Sequence, residues 1–135
     1  MAKHKTPKIE MKKYIASCHC GAVKAEALLA DSITAQACNC SMCNKLGFIH
    51  VIVPAERFRL LQGKDAITTY TFNTGVAKHT FCKHCGVKAF YTPRSNPNGF
   101  SLNLRCFETT PPEVKIEAFD GQHWEQHADS LKHLT

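Results

Sequence analysis

The sequence contains no apolar run long enough to span a bilayer; its longest, Phe48 to Pro54, is the length of a strand. The lysines near the start have no hydrophobic stretch behind them, so no secretory signal is read there and a cytoplasmic protein is expected. Internal repeats and an alternating strand–helix–strand pattern are both missing, which excludes a solenoid and a doubly wound parallel sheet. Acidic excess is missing too: the net charge is +6 over 135 residues. Most of that charge sits in residues 1–13, where Lys3, Lys5, Lys8, Lys12 and Lys13 face only Glu10. Such a run reads as a solvated tail, and the near-neutral remainder gives no electrostatic reason to expect a nucleic-acid partner. One domain over residues 12–135, preceded by a flexible segment at 1–11, is the expected organisation.

Cysteine, by contrast, is plentiful. Eight cysteines in a chain with no secretory signal favour metal binding over disulfides. Cys18 and Cys20 precede Gly21, and Cys82 and Cys85 precede Gly86. Two such knuckles far apart in sequence predict one tetrahedral zinc held by four thiolates. A redox-active pair is the competing reading, disfavoured because no thioredoxin-like unit surrounds it. The remaining run, Cys38-Asn39-Cys40-Ser41-Met42-Cys43, packs three thiols into six residues. A disulfide inside it would close a strained loop, whereas three thiolates fit one soft divalent ion. Three protein ligands leave a fourth position for something else. His50, His79 or Cys106 could instead complete a closed centre, and all seven thiols pooled into one cluster is a further, wasteful possibility. Three thiolates make zinc a weak activator of water but a natural site for an incoming thiol, whose sulfur could then meet a small electrophile such as an aldehyde.

Around this run the candidate ligand-binding residues are Arg94, as a carboxylate clamp, with Lys45, Phe48 and His50. Phe48, Phe90, Tyr91 and Phe100 are candidates for a pocket wall, although strand aromatics are more often core. Alternation and turn residues predict strands at 12–17, 23–29, 33–37, 48–53, 77–81, 87–92, 100–107 and 114–119. They also predict a helical turn at 41–47 and a hairpin joining 59–62 to 67–72 through Gly63-Lys64-Asp65. The fold class expected is all-β. Trp124 is read as an anchor for the tail.

Cys18-His19-Cys20-Gly21, the central cysteine run with Lys45 and Gly47, and His79-x-Phe81-Cys82-x-x-His84-Cys85-Gly86 together resemble the glutathione-dependent formaldehyde-activating enzyme (GFA) family. Tyr91 to Pro97 and Phe119-Asp120-Gly121-x-x-Trp124 are most similar to its centromere protein V branch. The resemblance implies an Mss4-like folded sheet assembly pinned by two zinc ions per chain. Cys18, Cys20, Cys82 and Cys85 would form the structural site, and Cys38, Cys40 and Cys43 the open one. It implies carbon–sulfur lyase chemistry: formaldehyde and glutathione as partners, S-hydroxymethylglutathione as product. A zinc-stabilised module that carries glutathione or docks a macromolecule without turnover is the second reading, separable by thiol binding in the absence of turnover. The short lysine tail gives no reason to carry over a chromosomal role.

Overall fold

A computed structural model describes residues 10–72, 74–120, 123 and 128–135. The expected tail at 1–11 falls mostly outside these residues, as does Trp124. The architecture is mainly β, in three sheets. β1 (Lys12–Ser17), β2 (Lys24–Leu29) and β5 (Phe58–Gln62) form one antiparallel sheet in the order β1-β2-β5. Five strands form the second, in the order β10-β3-β4-β9-β8. They are β10 (Glu113–Phe119), β3 (Ser32–Cys38), β4 (Ile49–Pro54), β9 (Gly99–Asn103) and β8 (Phe90–Tyr91). β6 (Ile67–Tyr70) and β7 (His79–Cys82) make the third.

The core follows from alternation. In β2, Ala25, Ala27 and Leu29 point inward while Lys24, Glu26 and Leu28 are half-buried on the other face. These small residues allow close approach of the facing sheet, whose Val51, Val53 and Leu102 complete the cluster. Full burial of Leu102 alone is worth about 1.5–3 kcal/mol. Phe58 stacks on Phe100 with ring centroids 3.9 Å apart and tilts against Phe90 at 4.9 Å. Phe90 and Phe100 are therefore core contacts, not walls of a binding site.

Three expectations are corrected. The 59–62 and 67–72 segments do not pair with each other: β5 joins β2, and β6 joins β7. Gly63 takes φ of +95° and a 3-10 turn, Lys64–Ala66, redirects the chain between sheets. A Cβ at Gly63 would stand 2.3 Å from the Ala22 carbonyl oxygen, so the crossing is reserved for glycine. The 100–107 strand ends at Asn103, whose side chain accepts from the Arg105 N–H and caps a 3-10 turn over Leu104–Cys106. Finally, the 87–92 strand shrinks to Phe90–Tyr91, because Asn103 engages the Lys88 and Ala89 carbonyls through its Nδ2 and backbone N–H.

The central cysteine run is held at the end of β3. β10 pairs parallel to β3 along its whole length, with Phe119 opposite Cys38, and the Asn39 N–H donates to the Phe119 carbonyl. Helix α1 (Ser41–Leu46) then turns the chain into β4. Cys40 is its N-cap, the sulfur accepting from the Cys43 N–H at 3.4 Å, and Gly47 closes it at φ +67°.

Candidate metal centres and the pocket above the second

Four thiols meet where β1 and β7 end. The sulfurs of Cys18, Cys20, Cys82 and Cys85 lie within 4.8 Å of one another. Cys20 Sγ is 3.7 Å from both Cys18 Sγ and Cys82 Sγ, close to the edge of about 3.8 Å that four sulfurs make around zinc at Zn–S of about 2.3 Å. Backbone N–H groups reach these sulfurs, Val23 to Cys18 at 3.2 Å and His84 to Cys82 at 3.4 Å, and reduce the charge that thiolates would carry. The donor set and its spacing fit zinc.

Cys38, Cys40 and Cys43 form the second set, also within 4.8 Å of one another. Cys40 is pulled well below the ordinary thiol range, first by hydrogen bonds from the Cys38 and Cys43 thiols and then by the Cys43 and Met42 N–H groups. Cys38 is pushed up chiefly by Cys40, and Cys43 first by Cys38 and then by Cys40. Three thiols this close cannot all ionise unaided, and a divalent cation is what would let them. His50, His79 and Cys106 lie outside both converging donor sets among the described residues. The Cys106 thiol leans on the Lys88 carbonyl at 3.7 Å.

His50 supports the second set instead of joining it. It is 4% exposed, and its Nε2 lies 3.1 Å from Cys43 Sγ. The Nδ1 lies 3.1 Å from Ser101 Oγ and 3.2 Å from the Tyr91 hydroxyl, two groups that can donate. With Nδ1 accepting, Nε2–H donates to Cys43. Burial first, and then the Lys88 charge, lower His50 to about 3, so the ring is neutral at pH 7. Loss of such an outer hydrogen bond typically costs about 10–100-fold in metal affinity. We expect His50→Leu to weaken the second metal by that factor and leave the first untouched, as read by competitive titration with a chromophoric chelator.

The three-thiol set opens on a cavity of about 720 Å³, a size suited to a small ligand. β3 supplies Gln36 beside Cys38, β4 supplies His50 and Ile52, and Tyr91, His79, Phe72 and Arg94 line it as well. Gln36 is 6% exposed and its Oε1 has no hydrogen-bond partner among the described residues. A buried acceptor left unpaired costs about 1–3 kcal/mol, which a ligand N–H would recover. Lys45 lies exposed on α1 and outside this lining, since its position faces away from the thiols. Phe48, 1% exposed, lies under His50 and Tyr91 at ring distances of 4.6 and 5.2 Å and supports the floor without lining it.

Sequence reading left Gln36, Ser101 and Lys88 unused. Gln36 had a signal, since it stands two residues before Cys38 and so on the same strand face. Lys88 had one too, a lone cation in the otherwise apolar Val87-Lys88-Ala89-Phe90-Tyr91.

A family model described as glutathione-dependent formaldehyde-activating enzyme matches residues 13–126, covering both cysteine sets and nearly all of the strands. The chain belongs to the GFA family. Its mainly β architecture is accordingly Mss4-like. The GFA chain is also similar to a Rhodobacter sphaeroides protein solved by crystallography, with 35% identity and a TM-score of 0.66. The match covers 76% of this chain and 99% of the Rhodobacter one. No helix among the described residues of the GFA chain is long and apolar enough to cross a membrane.

Proposed function

We propose that this protein joins a thiol to a small aldehyde, with glutathione and formaldehyde as the substrates and S-hydroxymethylglutathione as the product. The observation that carries the reading is the contrast between the two cysteine sets. Four converging thiols are the full number a tetrahedral zinc takes, whereas three converge beside a ligand-sized cavity. Zinc at Cys38, Cys40 and Cys43 would supply a position at which a thiol ionises at neutral pH and stays nucleophilic.

The chain's own residues do the rest. His50 holds the Cys43 sulfur through Nε2–H. Gln36 offers its unpaired carboxamide oxygen to an N–H of the thiol compound, which favours a peptide thiol over a simple one. Arg94, which lines the cavity, would meet a carboxylate of the thiol compound. Tyr91, Phe72 and the stacked rings around them give the aldehyde an apolar wall that limits water.

X-ray absorption at the zinc edge tests this reading. The zinc-loaded protein is expected to gain about half a sulfur per zinc on adding glutathione, one new ligand averaged over two ions. Catalysed consumption of formaldehyde with glutathione should accompany that gain. An unchanged sulfur count, with no turnover, would leave a zinc-pinned module with no role in thiol chemistry.

A further inference from the structure

Lys88 is the most unusual residue that the proposed reaction leaves without a part. It is 5% exposed and stands on no solvent face. Its backbone is fixed by two bonds to the carbonyl, from Asn103 Nδ2 and the Cys106 thiol. Its Nζ lies 3.8 Å above the Tyr91 ring centre and 5.1 Å from that of Phe48. No carboxylate faces it among the described contacts. What faces it is His79 from β7, Tyr91 from β8 and Phe48 beside β4. A buried cation whose described contacts are two aromatic rings and one imidazole sits there at a desolvation cost unless it serves the centre.

Among the described residues its side chain bonds to His79, Nζ to Nδ1 at 2.6 Å. An ammonium has only donors, so Nδ1 must accept and the proton of a neutral His79 must sit on Nε2. Neutrality follows from burial and from the Lys88 charge, which together lower His79 to about 4. Both faces of the ring are covered, by Tyr91 at 5.0 Å and Phe72 at 5.3 Å. His79 lines the cavity, with Nδ1 taken by Lys88 and Nε2–H as the ring's other polar position.

We infer that His79 is a catalytic hydrogen-bond and proton donor to the aldehyde oxygen, and that Lys88 is the positioning residue that fixes its tautomer and replenishes its proton. The inference rests on the thiol–aldehyde reading of the preceding section. As the thiolate sulfur forms the C–S bond, the carbonyl π pair moves onto oxygen. That oxygen takes the Nε2 proton while Nζ passes one to Nδ1, leaving a neutral amine and an Nδ1–H imidazole. The reset reverses the path: Nε2 takes from pocket water the proton that the thiol lost on ionising, and Nδ1 returns its own to Lys88. Net, the thiol proton ends on the new hydroxyl. The cation also offsets the charge of a fourth thiolate beside three others.

Two-bond proton–nitrogen NMR of the zinc-loaded protein with labelled histidine reads the tautomer without any turnover. At pH 7 wild type is expected to show His79 as Nε2–H, and Lys88→Met to populate Nδ1–H. An Nδ1–H ring in wild type, or a tautomer indifferent to Lys88→Met, overturns the assignment. In formaldehyde–glutathione assays Lys88→Met and His79→Phe should each lower kcat by about 10²-fold, in the range of a lost general acid. Thiol affinity should be unchanged in His79→Phe and lower in Lys88→Met, which loses the offsetting charge, as followed by the sulfur-to-cobalt bands of the cobalt-substituted protein. Lys88→Arg, which keeps the cation, should recover part of the rate and lose any alkaline fall in wild-type activity, a pattern that a merely structural lysine would not give. Full activity in a folded Lys88→Met overturns the relay. A wild type that binds thiol but never turns over removes the reaction itself, and the tautomer then judges the donor assignment alone.

Discussion

Cys82→Ser is expected to leave a chain with no cooperative thermal transition and with its first zinc lost. Cys82 is fully buried, part of the hydrophobic cluster, and 3.7 Å from the sulfur of Cys20. It ties the end of β7 to the turn that follows β1, two strands of different sheets with no ladder between them. Structural zinc in small domains contributes roughly 10–16 kcal/mol of binding free energy that is also folding free energy. A domain of this size has a net stability of only about 5–15 kcal/mol. Forfeiting a large share of the first exceeds the second. A serine hydroxyl does not substitute, being a harder and weaker zinc ligand than thiolate. Circular dichroism during heating, with zinc counted by mass spectrometry under native conditions, checks the result. Cys106→Ala is the control: its thiol only leans on a carbonyl, and its melt should stay within about 4–8 °C of wild type, the shift of roughly 1 kcal/mol. A Cys82→Ser protein that melts like wild type would show that the four-thiol set does not hold the fold.

Cys40→Ser should do the opposite, sparing the fold and abolishing the chemistry. Cys40 caps α1 by accepting from the Cys43 N–H, and serine is among the best residues for that task. The helix, β3 and β4 therefore keep their places, and the melting temperature is expected to hold. Zinc should fall from two ions to one. Glutathione binding and turnover should drop beyond the roughly 10–100-fold that follows loss of a mere outer-shell contact, because a first-rank ligand is gone. Native mass spectrometry, the cobalt spectrum and the formaldehyde assay read the three quantities separately. Two retained zincs together with wild-type thiol binding would mean that the central run is not the thiol site.

How much of this was legible in the sequence divides along the distance over which the information is carried. The cysteine sets were legible because ligand spacing is local and a knuckle needs only its own glycine. β2 was legible because inward Ala25, Ala27 and Leu29 alternate with Lys24, Glu26 and Leu28 over a few positions. What was not legible depended on residues brought together from afar. Asn103 removes the partners that would have extended a strand through Lys88, and no window around either residue records this. Gly63 reads as a hairpin turn until the Ala22 carbonyl is placed against it, when it becomes a crossing between sheets. Lys45, close to the thiols in sequence, is exposed, while Lys88, distant from the central run in sequence, is buried against Tyr91 and Phe48.

The two cysteine sets also differ in when they can exist. The second lies within six consecutive residues, so a nascent chain presents it complete soon after Cys43 is made. The first is complete only when Cys85 has been synthesised and its knuckle has found Cys18 and Cys20 across an intervening loop of some sixty residues. Closing that loop costs entropy before any metal bond repays it, so the clamp is a late event. During synthesis, the central run would therefore be complete while the four-thiol set still lacks Cys82 and Cys85.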